Sequence, residues 1–314
     1  MCPRNELQTH DIAATKRQDP SHGRPAGCEP PSAPPHATPS QHDLQVGMAS
    51  HCGRICERNE DASLAWFTTR AFEGQPPQSM GLFIVADGMG GHEDGAQASA
   101  LAIQTVARHI LQQIGLPLLK GLSEPTQMPP IHEVLRDSVG LAHQALAHRY
   151  PKAGTTLTLA LMLSESLYIA HVGDSRAYLG ERNRLSLLTH DHSIAARLVE
   201  MGQATPEEVT PQRSMLYKAI GQGASVEPDI VHRTLNWGQY LLLCCDGLWS
   251  QLSTSQMTAI IEQSPTPDIA CQNLVAQAYE RDGDDNITVL LVARGWPLPA
   301  PQVGDSKVND GISG

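Results

Sequence analysis

The chain alternates short apolar runs with longer stretches in which apolar residues recur at helical spacing. The short runs predict β-strands at 63–69, 81–86, 155–163, 166–172, 240–245 and 287–293. The longer stretches predict helices at 95–114, 132–150 and 267–281. Ser164 and Glu165 alone separate two strands, which is hairpin spacing and makes that pair antiparallel. Antiparallel strands with long helices between them indicate an α+β layered fold.

Polar sequence brackets this pattern at both ends. Residues 1–45 are rich in proline and hold almost no bulky apolar side chains, so we expect them to be disordered. The tail, 296–314, has the same character. Residues 46–295 are then predicted to form one domain, and deleting the N-terminal segment should leave its fold unchanged.

Charge and cysteine content narrow the class of protein. The 314 residues carry 22 Lys+Arg and 33 Asp+Glu, a formal net charge of −11, which argues against nucleic acid or an anionic membrane as a partner. The chain shows neither an apolar run of roughly 18 residues nor a secretory leader. The seven cysteines lack framework spacing, and Cys52 and Cys56 have no matching zinc pair. Cys244 and Cys245 are predicted to be buried thiols. We expect a cytoplasmic monomer.

Aspartates stand at or near the ends of four predicted strands. Asp87 and Asp246 follow apolar runs, Asp285 precedes one, and Asp174 follows another through Gly173. In an antiparallel sheet these ends can share one edge, where gathered carboxylates repel each other unless a cation neutralises them. Oxygen ligands favour Mg²⁺ or Mn²⁺ over Zn²⁺. Any one of these aspartates alone is more typical of a turn or a helix cap, but together they predict a metal site.

The motifs around these acids resemble a known family. In order they are GRICERNEDA (53–62), VADGMGGHEDGAQAS (85–99), GTTLTLAL (154–161), HVGDSRAYL (171–179), LTHDHS (188–193), CDGLW (245–249) and DDNITVLLV (284–292). They are similar to the successive motifs of the metal-dependent protein phosphatases, the type 2C serine/threonine class, in their bacterial form. The resemblance spans roughly Val46 to Arg294.

This resemblance implies an antiparallel β-sandwich flanked by helices in four αββα layers, with a dinuclear metal centre at one sandwich edge. Matching the motifs residue by residue, Asp87 would bridge both ions and the Gly88 carbonyl would bind the second. Asp246 and Asp285 would hold the first ion. In the family, a water between two cations loses its proton and attacks phosphorus in line.

The other implied ligands lie in the first and fourth motifs. Glu60 would hold the second ion, with Asp61 supporting it through water. Asp174 would join Asp246 at a weaker third site. The implied cofactors are two Mn²⁺ or Mg²⁺ ions, with this third ion in addition.

The residues for the substrate phosphate and the leaving group stay open. Bacterial members carry an arginine four residues before the NED acid, and here Cys56 occupies that position. Arg54 and Arg58 would lie on the same face of an extended strand, so either is a candidate for the phosphate, and both are equally consistent with solvated arginines. His92 is a candidate general acid or a surface cap, since Met89 replaces the histidine of eukaryotic members.

The resemblance implies hydrolysis of phosphoserine and phosphothreonine in proteins, with phosphoproteins and a cognate Ser/Thr kinase as partners. A pseudo-phosphatase acting as a regulatory binding module is the alternative, because Cys56 replaces the phosphate-binding arginine. Hydrolysis of small phosphate esters is a third hypothesis. Residues 190–223 correspond to the flap beside the cleft, where a helix, a threonine-capped TPEE start and glycine hinges suggest mobility. A plain surface excursion is the alternative.

Overall fold

The computed structural model describes residues 44–70, 78–90, 93–119, 129–205, 208–209 and 215–296, all of them inside one compact unit, Pro39–Gly314. The strands within these ranges are β1 (Leu44–His51), β2 (Asp61–Arg70), β3 (Gln78–Met89), β4 (Gly154–Thr155), β5 (Leu157–Leu163), β6 (Ser166–Val172), β7 (Arg176–Glu181), β8 (Arg184–Leu187), β9 (Asp229–Thr234), β10 (Gln239–Cys244) and β11 (Ile287–Arg294). The helices are α1 (Glu93–Ile110), α2 (Leu116–Leu119), α3 (Ile131–Arg149), α4 (Ile194–Glu200), α5 (Asp246–Trp249), α6 (Thr254–Gln263) and α7 (Pro267–Arg281), with a π-helical turn, Leu111–Gly115, joining α1 to α2.

The strands form two antiparallel sheets. One has the order β1-β11-β10-β7-β8, and the other has the order β2-β3-β5-β6-β9, with β4 paired to β3. The hairpin expected around Ser164 is present, since Leu163 pairs with Ser166 across the turn.

Alternation along the strands divides the apolar residues between layers. On β3, Phe83 and Val85 pack between the two sheets, whereas Leu82 and Ile84 face α1 and α3. On the other sheet, Leu242 packs outward in the cluster formed with α6 and α7. Because both faces of the central strands are covered, their sequences are continuously apolar. The αββα sandwich predicted from the motifs is therefore confirmed.

The elements that sequence analysis did not predict are short or lie at sheet edges. These are β1, β7, β8, β9, α2, α5 and α6, whereas α4 lies in the flap segment, where a helix is expected. Strand β1 contains Gly47, where a Cβ would lie 2.2 Å from the Pro267 backbone, so the glycine lets α7 approach the sheet.

The domain extends one residue beyond the predicted boundary, at Trp296. Its side chain is buried in the α6–α7 cluster, and its indole nitrogen donates to the Pro265 carbonyl at 2.8 Å. The indole belongs to the core because its large apolar surface is removed from water there. Residues 1–43 and 297–314 lie outside the described residues, and so do the predictions made for them.

Candidate metal centre

Two aspartates face each other across neighbouring strands at one sandwich edge. Asp61 begins β2 and is the register partner of Asp87 near the end of β3. Like charges directly opposite each other destabilise a sheet. Strand pairing thus holds a repulsive pair in place, and a cation would relieve the repulsion.

The end of β10 and the start of β11 bring two more acids to this edge. Asp246 follows β10 and Asp285 precedes β11, and these strands are antiparallel neighbours. Gly247 permits the close approach, since a Cβ there would lie 2.0 Å from the Asn286 carbonyl oxygen. Asp87 belongs to the other sheet, so the three acids come from both sheets of the sandwich and lie close enough for Asp246 and Asp285 to raise the pKa of Asp87.

The Asn286 side chain holds the loop of residues 52–60 against this edge. Its side-chain oxygen accepts from the Glu60 amide at 2.7 Å, and its Nδ2 donates to the carbonyls of Cys52 and Arg58 at 2.9 and 3.1 Å. One buried amide therefore sets the path of residues 52–60 and the position of Glu60.

Glycines leave room for the Glu60 carboxylate and the Gly88 backbone. A Cβ at Gly95 would lie 1.9 Å from Glu60 Oε2, and one at Gly88 would lie 2.2 Å from the Gly95 carbonyl. The Gly88 amide donates to the Glu60 carbonyl at 3.2 Å. The glycines beside Asp87 thus create the close packing that brings Glu60 to the site.

Two threonines of the GTT motif hold Asp87 by its backbone. The Thr156 hydroxyl accepts from the Asp87 amide at 2.9 Å, while the Thr156 amide and the Thr155 hydroxyl donate to the Asp87 carbonyl at 2.9 and 2.8 Å. These bonds leave the Asp87 carboxylate itself available for a ligand.

The electrostatics of the site favour a bound cation. Burial and the neighbouring acids raise the pKa of Asp87 well above its ordinary value. Burial also raises the pKa of Asp61, and the side chains of Thr288 and Cys245, which lie nearby but outside hydrogen-bonding geometry, counter part of this effect. The pKa of Asp246 is raised by burial and by Asp285. Without a positive charge these groups hold protons that an isolated carboxyl group would release.

Buried carboxylate oxygens without hydrogen-bond partners also indicate that a metal fits this site. Within the described part of the chain, both Asp61 carboxylate oxygens and Asp246 Oδ1 are buried without a hydrogen-bond partner. Buried polar atoms of this kind are rare and demand an explanation. Carboxylate and carbonyl oxygens suit Mg²⁺ and Mn²⁺, so the residues present fit a divalent metal centre.

Asp174 lies beside this centre in a loop held by Trp249 and Arg176. The Trp249 indole donates to the Asp174 carbonyl at 2.9 Å, and the Arg176 guanidinium lies 3.5 Å from the centroid of the Trp249 ring. Arg176 also binds both oxygens of Asp191, at 2.7 and 3.0 Å. Burial and Asp246 raise the pKa of Asp174. The GDSR and THDHS motifs thus meet in one buried ion pair.

The loop that carries Cys56 is not the extended strand that we expected. Residues 52–60 form bends and turns after Gly53, whose φ is 76°, so residues two apart do not share a face. The Arg54 guanidinium lies 4.6 Å from the centroid of the Tyr279 ring, and the Arg58 side chain is exposed. Cys56 Sγ lies 3.9 Å from Asp285 Oδ1, which places this thiol at the margin of the centre.

The flap is described in part. The Ile194 amide donates to Met215 at 2.8 Å and the Tyr217 amide to His192 at 3.0 Å, which joins the two sides of its base. The Thr205 amide donates to Glu208 Oε2 at 2.8 Å, as in a capping box, but residues 208–209 form a turn and not a helix. Residues 206–207 and 210–214 lie outside the described residues. His92, the candidate general acid, also lies outside them.

Sequence analysis missed two contributors to the site. Asn286 was noted only as part of a motif, although its polar side chain directly before an apolar strand was a usable signal. Cys245 was predicted as an ordinary buried thiol, yet its sulfur and carboxylate oxygens of Asp61 and Asp87 all lie within 4.8 Å of one another.

Comparisons with known proteins agree with this geometry. Residues 48–287 match the family described as Protein phosphatase 2C. The serine/threonine phosphatase stp of Listeria monocytogenes serovar 1/2a is 33% identical over 244 residues, which cover 77% of this chain and 92% of that protein. The S. agalactiae serine/threonine phosphatase structure has a TM-score of 0.67 at 29% identity, covering 80% of this chain and 99% of its own. The catalytic domain of the phosphatase PstP, in complex with 2 manganese ions, has a TM-score of 0.63 at 28% identity, covering 80% and 97%.

Proposed function

The chain belongs to the protein phosphatase 2C family, and from this membership we propose which residues and ions carry its reaction. The activity is metal-dependent hydrolysis of phosphoserine and phosphothreonine in proteins. The alternative, a pseudo-phosphatase that only binds, has no support among these relatives.

We assign two cations to the edge where the acids gather. Asp87 would be a ligand of both ions, Asp246 and Asp285 would hold the first, and Glu60 with the Gly88 carbonyl would hold the second. The observation that carries this assignment is the buried carboxylate oxygens of Asp61 and Asp246, which have no hydrogen-bond partner among the described residues. Asp61 would support the second ion through a water, and Asp174 with Asp246 would hold a weaker third ion.

Manganese or magnesium is the proposed cofactor. The donors assigned above are carboxylate and carbonyl oxygens, which hard divalent cations prefer. The two manganese ions in the PstP complex support the same choice.

The metal pair, when bound, makes water nucleophilic near neutral pH and offsets charge on the phosphoryl oxygens. The protein's own part is positioning. Thr155 and Thr156 fix the Asp87 backbone, and Asn286 fixes Glu60. We keep Arg58 as a candidate contact for the substrate phosphate, because Asn286 holds its backbone close to that of Glu60, whereas the Arg54 guanidinium packs on Tyr279. His92 stays the candidate acid for the leaving alkoxide.

The substrates are phosphorylated proteins. We further infer that a cognate Ser/Thr kinase opposes this activity and that the protein acts as a cytoplasmic monomer. Among the described helices, each is too short or too polar to span a bilayer.

Release of phosphate from a phosphothreonine peptide, with and without added Mn²⁺, tests the assignment. We expect Asp87→Asn to lower kcat/KM by about 100-fold or more, since losing a shared ligand costs at least what losing an outer-shell partner costs. Asp137→Asn, at an exposed position on α3, is the matched control and should retain full activity. Full turnover after chelation, or equal activity of the two variants, would overturn the assignment.

A further inference from the structure

One sulfur atom lies beside the carboxylates of the metal centre. Cys245 directly follows β10 and precedes Asp246, and its side chain is fully buried. Its Sγ and one carboxylate oxygen each from Asp61 and Asp87 lie within 4.8 Å of one another. A cation placed among these three atoms would need only small side-chain shifts to reach contact with each.

The hydrogen bonds of Cys245 orient its sulfur and leave it able to bind. The Thr288 amide donates to Sγ at 3.0 Å, and the thiol donates to the Asn286 carbonyl at 3.3 Å. The first of these bonds also suits a thiolate, which accepts and does not donate. The sulfur is thus held in place by the backbone of β11.

Asp61 supplies the second, independent observation. Its two carboxylate oxygens are buried and have no hydrogen-bond partner in the described part of the chain. Strand pairing fixes this carboxylate opposite Asp87. The Asp61 and Asp87 carboxylates together with the Cys245 thiol therefore form a ligand set that combines hard oxygen donors with a soft sulfur donor.

We propose that Asp61, Asp87 and Cys245 form an oxygen–sulfur site for a thiophilic divalent cation, with Zn²⁺ as the preferred occupant. Zinc accepts cysteine sulfur at about 2.3 Å and carboxylate oxygen at about 2.0–2.2 Å, whereas Mn²⁺ and Mg²⁺ favour oxygen. On binding, the Cys245 thiol loses its proton to water that enters with the ion, its hydrogen bond to the Asn286 carbonyl is broken, and a sulfur lone pair forms the bond to zinc. The Thr288 amide continues to donate to that sulfur.

This site rests on the proposed function in one respect, the sharing of Asp87. A zinc ion bound by Asp87, Asp61 and Cys245 occupies a ligand that the catalytic ions need. Zinc therefore competes with Mn²⁺ and inhibits the phosphatase, and Cys245 sets how strongly it does so.

Cobalt spectroscopy tests the sulfur contact without relying on activity. The full chain is stripped of metal with a chelator and titrated with Co²⁺, which substitutes for zinc and gives a near-ultraviolet sulfur-to-cobalt charge-transfer band when a thiolate binds. We expect the band in the wild type, its displacement by Zn²⁺, and its loss in Cys245→Ser. The Zn²⁺ affinity of Cys245→Ser should fall by about 10–100-fold or more, as for loss of an outer-shell partner or worse. The Mn²⁺ affinity should fall much less.

Two other thiols provide controls. Cys56→Ser removes the sulfur that lies near Asp285, and Cys244→Ser removes the buried sulfur of the preceding residue, which packs in the α6–α7 cluster. Both variants should keep the charge-transfer band. Asp61→Asn, which preserves Cys245, should weaken Co²⁺ binding while the metal-free melting temperature does not fall. This variant keeps the test decisive if Cys245→Ser fails to fold.

Absence of the band in the wild type, or its persistence in Cys245→Ser with loss in Cys56→Ser, would overturn the proposed site. Failure of the proposed function has a different signature, which is no Mn²⁺-dependent release of phosphate. A retained band in such a protein would still support the oxygen–sulfur site.

Discussion

Electrostatic repulsion is the main effect on single residues at the sandwich edge where Asp61, Asp87, Asp246 and Asp285 gather, which we call the metal edge. Burial and mutual repulsion raise the pKa values of Asp61, Asp87, Asp174 and Asp246. A carboxylate in this setting destabilises the metal-free fold and stabilises the metal-bound one. Substitutions around the acids are therefore expected to act mainly through the positions and the electrostatic energy of these carboxylates.

Cys56 offers a direct test at this scale. Its thiol lies 3.9 Å from Asp285 Oδ1, so an arginine there would extend towards the phosphate bound at the centre. Cys56→Arg should add a charge-assisted hydrogen bond of about 1.5–3 kcal/mol, which lowers KM for a phosphopeptide about tenfold or more if it forms with bound substrate. Steady-state kinetics measure this change.

Arg54→Ala and Arg58→Ala complete the comparison. Arg54→Ala should leave KM unchanged because its guanidinium packs on Tyr279, whereas a raised KM in Arg58→Ala would identify Arg58 as the phosphate contact. If Cys56→Arg binds substrate no better than the wild type, the loop does not face the phosphate.

At the scale of helices and strands, the site depends on close contacts between elements that glycine residues allow. Helix α1 approaches Glu60 through Gly95, α5 approaches β11 through Gly247, and α7 approaches β1 through Gly47. The metal edge is thus sensitive to small changes in α1 and α7, which contribute no assigned ligand.

Gly95→Ala should separate helix stability from metal binding. The added methyl group would lie 1.9 Å from Glu60 Oε2, so the flexible carboxylate must move away while the helix survives. We expect the Mn²⁺ concentration for half-maximal activity to rise about tenfold or more.

Gly140→Ala in α3 is the matched control, since a Cβ there meets nothing within 4 Å. It should stabilise the protein by about 0.4–1 kcal/mol and leave the Mn²⁺ requirement unchanged. The same Mn²⁺ requirement in both variants would show that Glu60 is not a ligand.

The Arg176–Asp191 pair links the start of β7 to the loop between β8 and α4. The Arg176 Nη2 atom lies 2.7 Å from Asp191 Oδ2, and both side chains are largely buried. Removing one partner of a buried pair leaves an uncompensated charge, so Asp191→Ala should destabilise the protein by about 3–5 kcal/mol in urea unfolding.

The exposed pair of Arg136 and Glu227 provides the comparison. Glu227→Ala should cost at most about 1 kcal/mol because solvent screens that pair. A double-mutant cycle on Arg176 and Asp191 isolates their coupling energy. A coupling energy near zero would show that the ion pair does not hold the two segments together.

At the scale of the whole molecule, the acids couple stability to pH and to metal. In the metal-free fold the pKa is raised to about 6 for Asp246, about 7 for Asp61 and about 8 for Asp174. A raised pKa means that the folded state binds protons more tightly than the unfolded state. This contribution to stability is complete below about pH 4 and is lost as pH rises through those values.

Metal binding should act in the opposite direction. Cations bind the deprotonated carboxylates, so the rise in melting temperature caused by Mn²⁺ should grow from about pH 5 to about pH 8. Thermal unfolding in chelator and in Mn²⁺ across this range measures the effect. Asp61→Asn should flatten the pH dependence in chelator, and a Mn²⁺ shift independent of pH would contradict the coupling.

The sequence by itself determined the class of fold and the chemistry of the edge. Continuous apolar runs predicted the buried central strands, because a strand covered on both faces needs no polar alternation. Aspartates beside these runs predicted a metal site, since strand ends collect at sheet edges. Local pattern was sufficient for both predictions.

Only the tertiary structure decided which groups meet. The pairing of Asp61 with Asp87, the thiol of Cys245 beside them and the Arg54 side chain over Tyr279 join residues far apart in the chain. A period of two tells which face a side chain occupies but not which strand lies beside it. The path of residues 52–60 likewise depends on Asn286, more than two hundred residues away, so no local propensity encodes it.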